Sequence, residues 1–125
     1  MDIADVIRLY LRSLEQGSYD DVVKLFAEDA MVISPLYGTV KASDFYRDLF
    51  KDTAKSKITL LDIFVSKNSK CAAAHFRYEW TLKDGNTVSF ECVDIFEFSE
   101  EGKIKKLKII YDTYEARRVF ERLKE

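Results

Sequence analysis

Val88-Ser89-Phe90-Glu91-Cys92-Val93-Asp94-Ile95-Phe96-Glu97-Phe98 reads as one β-strand with an acid on its apolar side. Strand side chains point alternately to two faces. Val88, Phe90, Cys92, Phe96 and Phe98 therefore share a face, and Asp94 sits among them. The other face carries Thr87, Ser89, Glu91 and Glu97, where a charge stays wet. A carboxyl placed among aromatics is costly to ionise, so its pKa rises. Such a group is either paired inside the protein or functional.

Working outward, Ile58–Val65, Cys71–Leu82 and Ile104–Tyr114 are also rich in branched and aromatic residues and read as strands. The connections Lys67-Asn68-Ser69-Lys70, Asp84-Gly85-Asn86 and Ser99-Glu100-Glu101-Gly102 are short. They predict an antiparallel meander. A three-residue loop at Asp84–Asn86 sets even positions against even positions, pairing Trp80 with Phe90, Tyr78 with Cys92 and Phe76 with Asp94. A one-residue slip would turn Trp80 to the wet face. The four-residue loop after Phe98 brings Leu107, Ile109 and Tyr111 to the same apolar side.

The first half of the chain has the helical period instead. Ile3, Val6, Ile7, Tyr10, Leu11 and Leu14 form one stripe over Ile3–Glu15, with Asp2 as N-cap and Gly17 just past the end. A second helix begins at Ser18, with Asp21 at capping-box spacing, and buries Val22, Val23, Leu25 and Phe26. Met31–Ser34 is a short strand stopped by Pro35, and a third helix from Ser43 presents Phe45, Tyr46, Leu49 and Phe50. The expectation is one α+β domain over residues 1–125, three N-terminal helices packed on a curved antiparallel sheet.

Composition narrows the function classes. The 125 residues are 47% apolar and 34% charged with a net charge of −2, so there is no electrostatic footprint for nucleic acid. No apolar run approaches the ~18–20 residues of a membrane span, and the acidic N-terminus is not a signal peptide. Cys71 and Cys92 lie in separate strands with no CxxC spacing, and His75 is the lone histidine, too few ligands for zinc. Both thiols read as small buried hydrophobes, which fits a cytoplasmic protein. Neither a metal nor a cofactor is expected.

Three segments carry a resemblance to a known family. They are Val6–Gly17 with Leu25–Ala30 and the strand into Pro35, then Val93–Phe98 with Gly102–Ile104, and Ile110-Tyr111-Asp112. The chain resembles the nuclear transport factor 2-like superfamily, a cone-shaped α+β fold, and within it the SnoaL-like cyclases and ketosteroid isomerase. The resemblance implies a pocket on the concave side of the sheet and dimers through the convex side. Ketosteroid isomerase uses an Asp base and an oxyanion hole of a Tyr and a protonated Asp. Carried over, Tyr10 falls on the oxyanion tyrosine and Asp94 on the protonated aspartate. The base position, just before the proline, holds Ser34. A serine hydroxyl takes no proton at neutral pH without a helping base, so steroid isomerisation is not expected.

Two readings stay open for each candidate. Tyr10 is a core tyrosine with a satisfied hydroxyl or a donor into a pocket. Asp94 is a structural acid, bonded to Tyr10 or to water, or a ligand-facing donor and acid/base. Ser34, Tyr37, Phe45, Tyr78, Trp80, Phe90 and Tyr111 are core packing or the lining of a hydrophobic pocket with polar tips. His75 faces the convex side, Asp112 has a structural or rim role, and Asp62 lies at an edge or lines the pocket. The leading expectation is a protein that binds a small apolar ligand bearing a carbonyl or hydroxyl, as an isomerase, cyclase or hydrolase without the usual base. The alternative is a non-catalytic dimeric interaction module with a filled pocket. A cavity of ~300 Å³ or more reaching Asp94 favours the first and a packed cone the second. A homodimer is expected through a convex face bearing Arg77, Glu79, Glu91, Val93, Ile95, Lys106, Lys108 and Ile110.

Overall fold

The computed structural model describes all 125 residues. Its elements are α1 (Ile3–Gln16), α2 (Tyr19–Val23), β1 (Phe26–Ser34), β2 (Gly38–Lys41), α3 (Ala42–Asp52), β3 (Thr53–Val65), β4 (Cys71–Leu82), β5 (Thr87–Phe98), β6 (Ile104–Ile110) and α4 (Tyr114–Leu123). One six-stranded sheet has the order β2-β1-β6-β5-β4-β3. The expected antiparallel meander is β3 to β6. β1 lies beside β6 in parallel, and β2 closes that edge.

The helical stripe of α1 folds as read. Val6, Ile7, Tyr10, Leu11 and Leu14 are buried, the Asp2 carboxyl accepts from Asp5 N at 2.9 Å, and Gly17 ends the helix at φ +68°. That left-handed conformation is open to glycine at no steric cost. α1 and α3 lie over the concave side, where Phe45, Tyr46 and Leu49 of α3 are buried. The even residues of β4 and β5 meet them: Phe76, Tyr78, Trp80, Cys92, Asp94 and Phe96 are buried, while Arg77 and Glu91 are exposed.

Four expectations are corrected. The register of β4 and β5 keeps even against even but is displaced by two residues: Trp80 faces Val88, Tyr78 faces Phe90, Phe76 faces Cys92 and Ala74 faces Asp94. The loop still has three residues, but they are Lys83–Gly85, because Leu82 N bonds to Asn86 O at 2.8 Å and Gly85 N to Leu82 O. Gly85 supplies the φ of +91° that this turn needs. Second, α2 is a single turn and Phe26 already belongs to β1, which starts five residues before the expected Met31. Ser18 makes no capping bond there. Third, the four residues of β2 follow Ser34-Pro35-Leu36-Tyr37 as a hairpin. Fourth, the last strand stops at Ile110 instead of Tyr114, and Tyr114 opens a fourth helix, α4, that was not expected. Asp112 accepts from Tyr114 N at 3.0 Å at the start of that helix. Ala116, Val119, Phe120 and Leu123 recur at helical spacing and pack on the core.

Candidate functional site

The helices and the sheet do not close completely on one another. A cavity of about 50 Å³ remains between α1, α3 and β4–β6. Tyr10, Ser34, Tyr37, Phe45, Tyr78, Trp80, Phe90, Asp94 and Tyr111 all reach its wall. The structure thus gathers every residue singled out as catalytic or ligand-binding around one space, although they come from both halves of the chain. Phe76, Cys92 and Ile109 join them from the same strand faces. That volume exceeds the roughly 10–15 Å³ that a single water needs. The cavity reaches Asp94 but falls well short of ~300 Å³.

Most polar groups around the cavity already have partners. Tyr10 and Tyr46 share a hydroxyl–hydroxyl hydrogen bond of 2.7 Å. The Tyr10 ring is boxed edge-on by Phe26, Tyr46 and Phe96 at centroid distances of 5.4 to 6.1 Å. The bond from Tyr10 to Asp94, one of the readings left open for the acid, is absent, and the Tyr10 hydroxyl is paired with Tyr46 on α3 instead. Tyr78 bonds to Ser56 Oγ at 2.8 Å, and Trp80 Nε1 donates to Thr53 Oγ1 at 2.8 Å. Tyr37 donates to Asp52 Oδ2 at 2.6 Å. Ser34 Oγ accepts the backbone amides of Leu36 and Tyr37 at 3.2 and 3.0 Å, which folds the turn into β2.

Asp94 differs from all of these. It is 2% exposed, and its one hydrogen bond is the Cys92 thiol donating to Oδ1 at 3.3 Å. No fully enclosed side-chain nitrogen or oxygen in the chain lacks a partner. Oδ2 therefore meets the open space of the cavity. Burial raises the carboxyl to about 7, and the bond from Cys92 offsets this slightly. The same burial, with the negative charge of Asp94 nearby, raises Cys92. That thiol is inert as a nucleophile at neutral pH. Burial is also the main cause holding Tyr10, Tyr46, Tyr78 and Tyr111 above an ordinary phenol. Tyr111 stacks on Phe90 at 4.1 Å and has a hydroxyl with no partner in the chain. At neutral pH Asp94 is therefore poised between donor and acceptor, and the phenols are neutral donors.

A SnoaL-like domain matches residues 7–107. The chain belongs to the SnoaL-like family. Solved structures agree on the fold. An epoxide hydrolase/cyclase-like enzyme, SalBIII, with a role in pyran ring formation in the polyether salinomycin, superposes with a TM-score of 0.78 at 22% identity, over 88% of this chain and 90% of that one. A protein of unknown function from Burkholderia pseudomallei, described as NTF2-like, gives 0.81 at 17% identity over 94% and 96%. PrhC from Penicillium brasilianum gives 0.81 at 13% identity over 98% and 87%. The cone expected from the sequence is thus the fold of this SnoaL-like chain.

The remaining candidates lie outside the cavity. His75 Nε2 pairs with Glu91 Oε1 at 2.9 Å on the convex face, and Asp62 is exposed beside it in the register. The sequence reading missed Tyr46 as a partner of Tyr10, although both lie on buried helical stripes. It also missed the Asp52–Tyr37 pair. Asp52 is 6% exposed and receives Lys124 Nζ on both oxygens at 2.7 and 2.8 Å. Its partners are 15 and 72 positions away, so no local pattern signals them.

Proposed function

We propose that this SnoaL-like protein binds a small apolar molecule with a carbonyl or hydroxyl group and that Asp94 holds that group. The observation that supports it is Asp94 Oδ2, the unpaired oxygen of a buried carboxyl facing the cavity. Tyr111, just past the end of β6, adds a second free hydroxyl to the cavity wall. A ligand can use both without breaking a bond inside the protein. If the ligand reacts, Asp94 is its acid/base, since a carboxyl at about 7 gives and takes a proton at neutral pH. One such group suits an isomerisation or an intramolecular ring closure, in which a single residue can receive a proton and return it. The pyran ring formation connected with SalBIII is a reaction of that second kind. Tyr10 is the neutral donor beside it when Tyr46 donates in the bond between the two hydroxyls. Ser34 offers its proton as a ligand contact but no base.

The test is a thermal-shift screen of apolar ketones and alcohols with wild type, Asp94→Asn and Asp94→Ala. Ligands that stabilise wild type by mass action should bind Asp94→Asn nearly as well, because the amide still donates. They should lose ~1–3 kcal/mol with Asp94→Ala, where their polar group is left unpaired. Hits that stabilise Asp94→Ala equally would remove Asp94 from the site.

The cavity volume favours a second reading, a non-catalytic module with a filled cone. It would be supported if no ligand in the screen stabilised the wild type.

Self-association is part of either reading. The convex rows Phe64–Ala73–Ile95–Lys108 and Asp62–His75–Val93–Ile110 run across four strands. Phe64, Ile95 and Ile110 are 57%, 38% and 44% exposed. Charges of both signs surround them, among them Arg77, Glu91, Glu97 and Lys106. A second copy placed by a two-fold axis buries this apolar centre and pairs the rim. Cys71 and Cys92 are both free thiols, which fits a reducing compartment such as the cytoplasm. No helix is long and apolar enough to cross a membrane.

A further inference from the structure

The chain's last helix packs against two walls of the cavity. Phe120 of α4 packs edge-on against Tyr37 at a centroid distance of 5.0 Å and lies 6.4 Å from Trp80, tilted by 31°. Tyr37 and Trp80 are both walls of the cavity. Phe120 thus packs against two residues that also wall the space that Asp94 faces. Two polar contacts hold α4 there. Lys124 Nζ donates to both oxygens of Asp52, and Arg117 donates through one guanidinium nitrogen to Pro35 O at 2.8 Å. Lys124 also lies over the Phe120 ring at 5.4 Å. The rest of the attachment is weak for a ten-residue helix: Ala116 is its one fully buried residue, and Val119, Phe120 and Leu123 are partly exposed.

We propose that the slot between Tyr37 and Trp80 is the outer half of the ligand site and that Phe120 occupies it in place of a planar ring of the ligand. α4 is then a plug latched by Lys124 on Asp52, and its release admits the ligand. This rests on the ligand-binding reading above and explains why the cavity is only about 50 Å³. With α4 displaced, a ligand ring lies between Tyr37 and Trp80 while its polar group reaches inward to Asp94. Tyr37 keeps its bond to Asp52 throughout, so the slot keeps its shape. The ligand class is accordingly narrower than an apolar carbonyl or hydroxyl compound: it carries a flat ring, and the polar group belongs at the end away from the mouth.

Binding of 2-naphthol, a flat apolar ring system with one hydroxyl, followed by its fluorescence, tests this. It is larger than the closed cavity and needs the plug to move. A closed state that excludes the ligand weakens its apparent affinity by the fraction of molecules that are open. Lys124→Met removes the latch and should tighten binding about tenfold. Asp52→Asn/Lys124→Met, which removes both charged partners together, serves the same purpose where the single change unfolds the chain. Adding Asp94→Ala to either variant should weaken 2-naphthol binding by the same factor as it does in the latched protein, since Asp94 sets the affinity of the open state and the latch only its population. In the unmodified protein, saturation with 2-naphthol should speed amide hydrogen exchange in residues 114–123, since the ring takes the place of Phe120. If the latch variants bind no better than wild type, or α4 stays equally protected, the plug is refuted while binding that depends on Asp94 still stands. If 2-naphthol binds none of them, or binds regardless of Asp94→Ala, the ligand site at Asp94 fails and the plug with it.

Discussion

Replacing Asp94 with Asn should change how stability depends on pH more than it changes stability itself. In the unfolded chain the Asp94 carboxyl has an ordinary pKa of 3.8, and in the folded chain burial raises it to about 7. Between those values the folded protein holds a proton that the unfolded chain has released. Stability must therefore fall as pH rises through this window. Below about 4 the contribution is fully present, and above about 7 it is lost. The gap is about three pKa units at about 1.4 kcal/mol each, so the fall attributable to this side chain is about 4 kcal/mol. Asn has no proton to lose. The unfolding free energy of wild type minus that of Asp94→Asn, from urea denaturation at pH steps from 4 to 8.5, should decline by a few kcal/mol and then level off. Taking the difference cancels the other carboxyls, which lie largely at the surface. Carboxyl-carbon NMR of Asp94 should place its midpoint in the same window. A difference that stays flat across the range means that Asp94 ionises normally, as a paired or hydrated acid would. The donor role assigned to it would then have no basis.

Three further outcomes follow from named contacts. Ile95→Lys places a charge at the apolar centre of the convex face, and light scattering at micromolar protein should change from a dimer mass to a monomer mass; a monomeric wild type refutes the interface. Gly17→Ala should destabilise by about 1 kcal/mol in urea, because Gly17 sits at φ +68° with open space around it, so backbone strain is the whole effect. Ser34→Asp should fold, since a carboxyl can accept the amides of Leu36 and Tyr37 as Ser34 Oγ does, but those two bonds hold its pKa down. A β,γ-unsaturated ketone should therefore be isomerised weakly at most, and a strong isomerase would show that the amides do not restrain it.

Parity was legible in the sequence because it rests on a period of two. Alternation in residues 71–82 and 87–98 already separates the buried from the wet face, and the structure keeps both strands to the residue. The displacement by two positions escaped the same reasoning, because shifting a hairpin by two leaves every side chain on its face. Only the turn distinguishes the registers, and Gly85 closes it one residue earlier than Asp84–Asn86 suggests. α4 was legible in principle from Ala116, Val119, Phe120 and Leu123, but Tyr111 and Tyr114 carried the strand pattern past its end. The pairing of β1 with β6 was not legible. It joins segments more than 70 positions apart, and a parallel pair leaves no turn to read.

The partners of the candidate site divide along the same line. Periodicity brings Tyr10, Tyr78, Trp80 and Asp94 to one side of the chain, yet it says nothing of which hydroxyl finds which acceptor. Tyr46, Ser56 and Thr53 take up Tyr10, Tyr78 and Trp80, and what remains is an acid whose neighbour is a thiol. A thiol is a weak donor, and a single weak donor does not offset the burial of a carboxyl. Leucine or asparagine at position 94 would serve packing at lower cost in free energy. Apart from the Tyr111 hydroxyl, the polar side-chain groups around it are satisfied, which makes this one acid hard to read as a packing residue. Burial holds this acid near a pKa of about 7 with one oxygen unpaired beside an apolar cavity, and that geometry is what supports the proposed contact with a ligand's polar group.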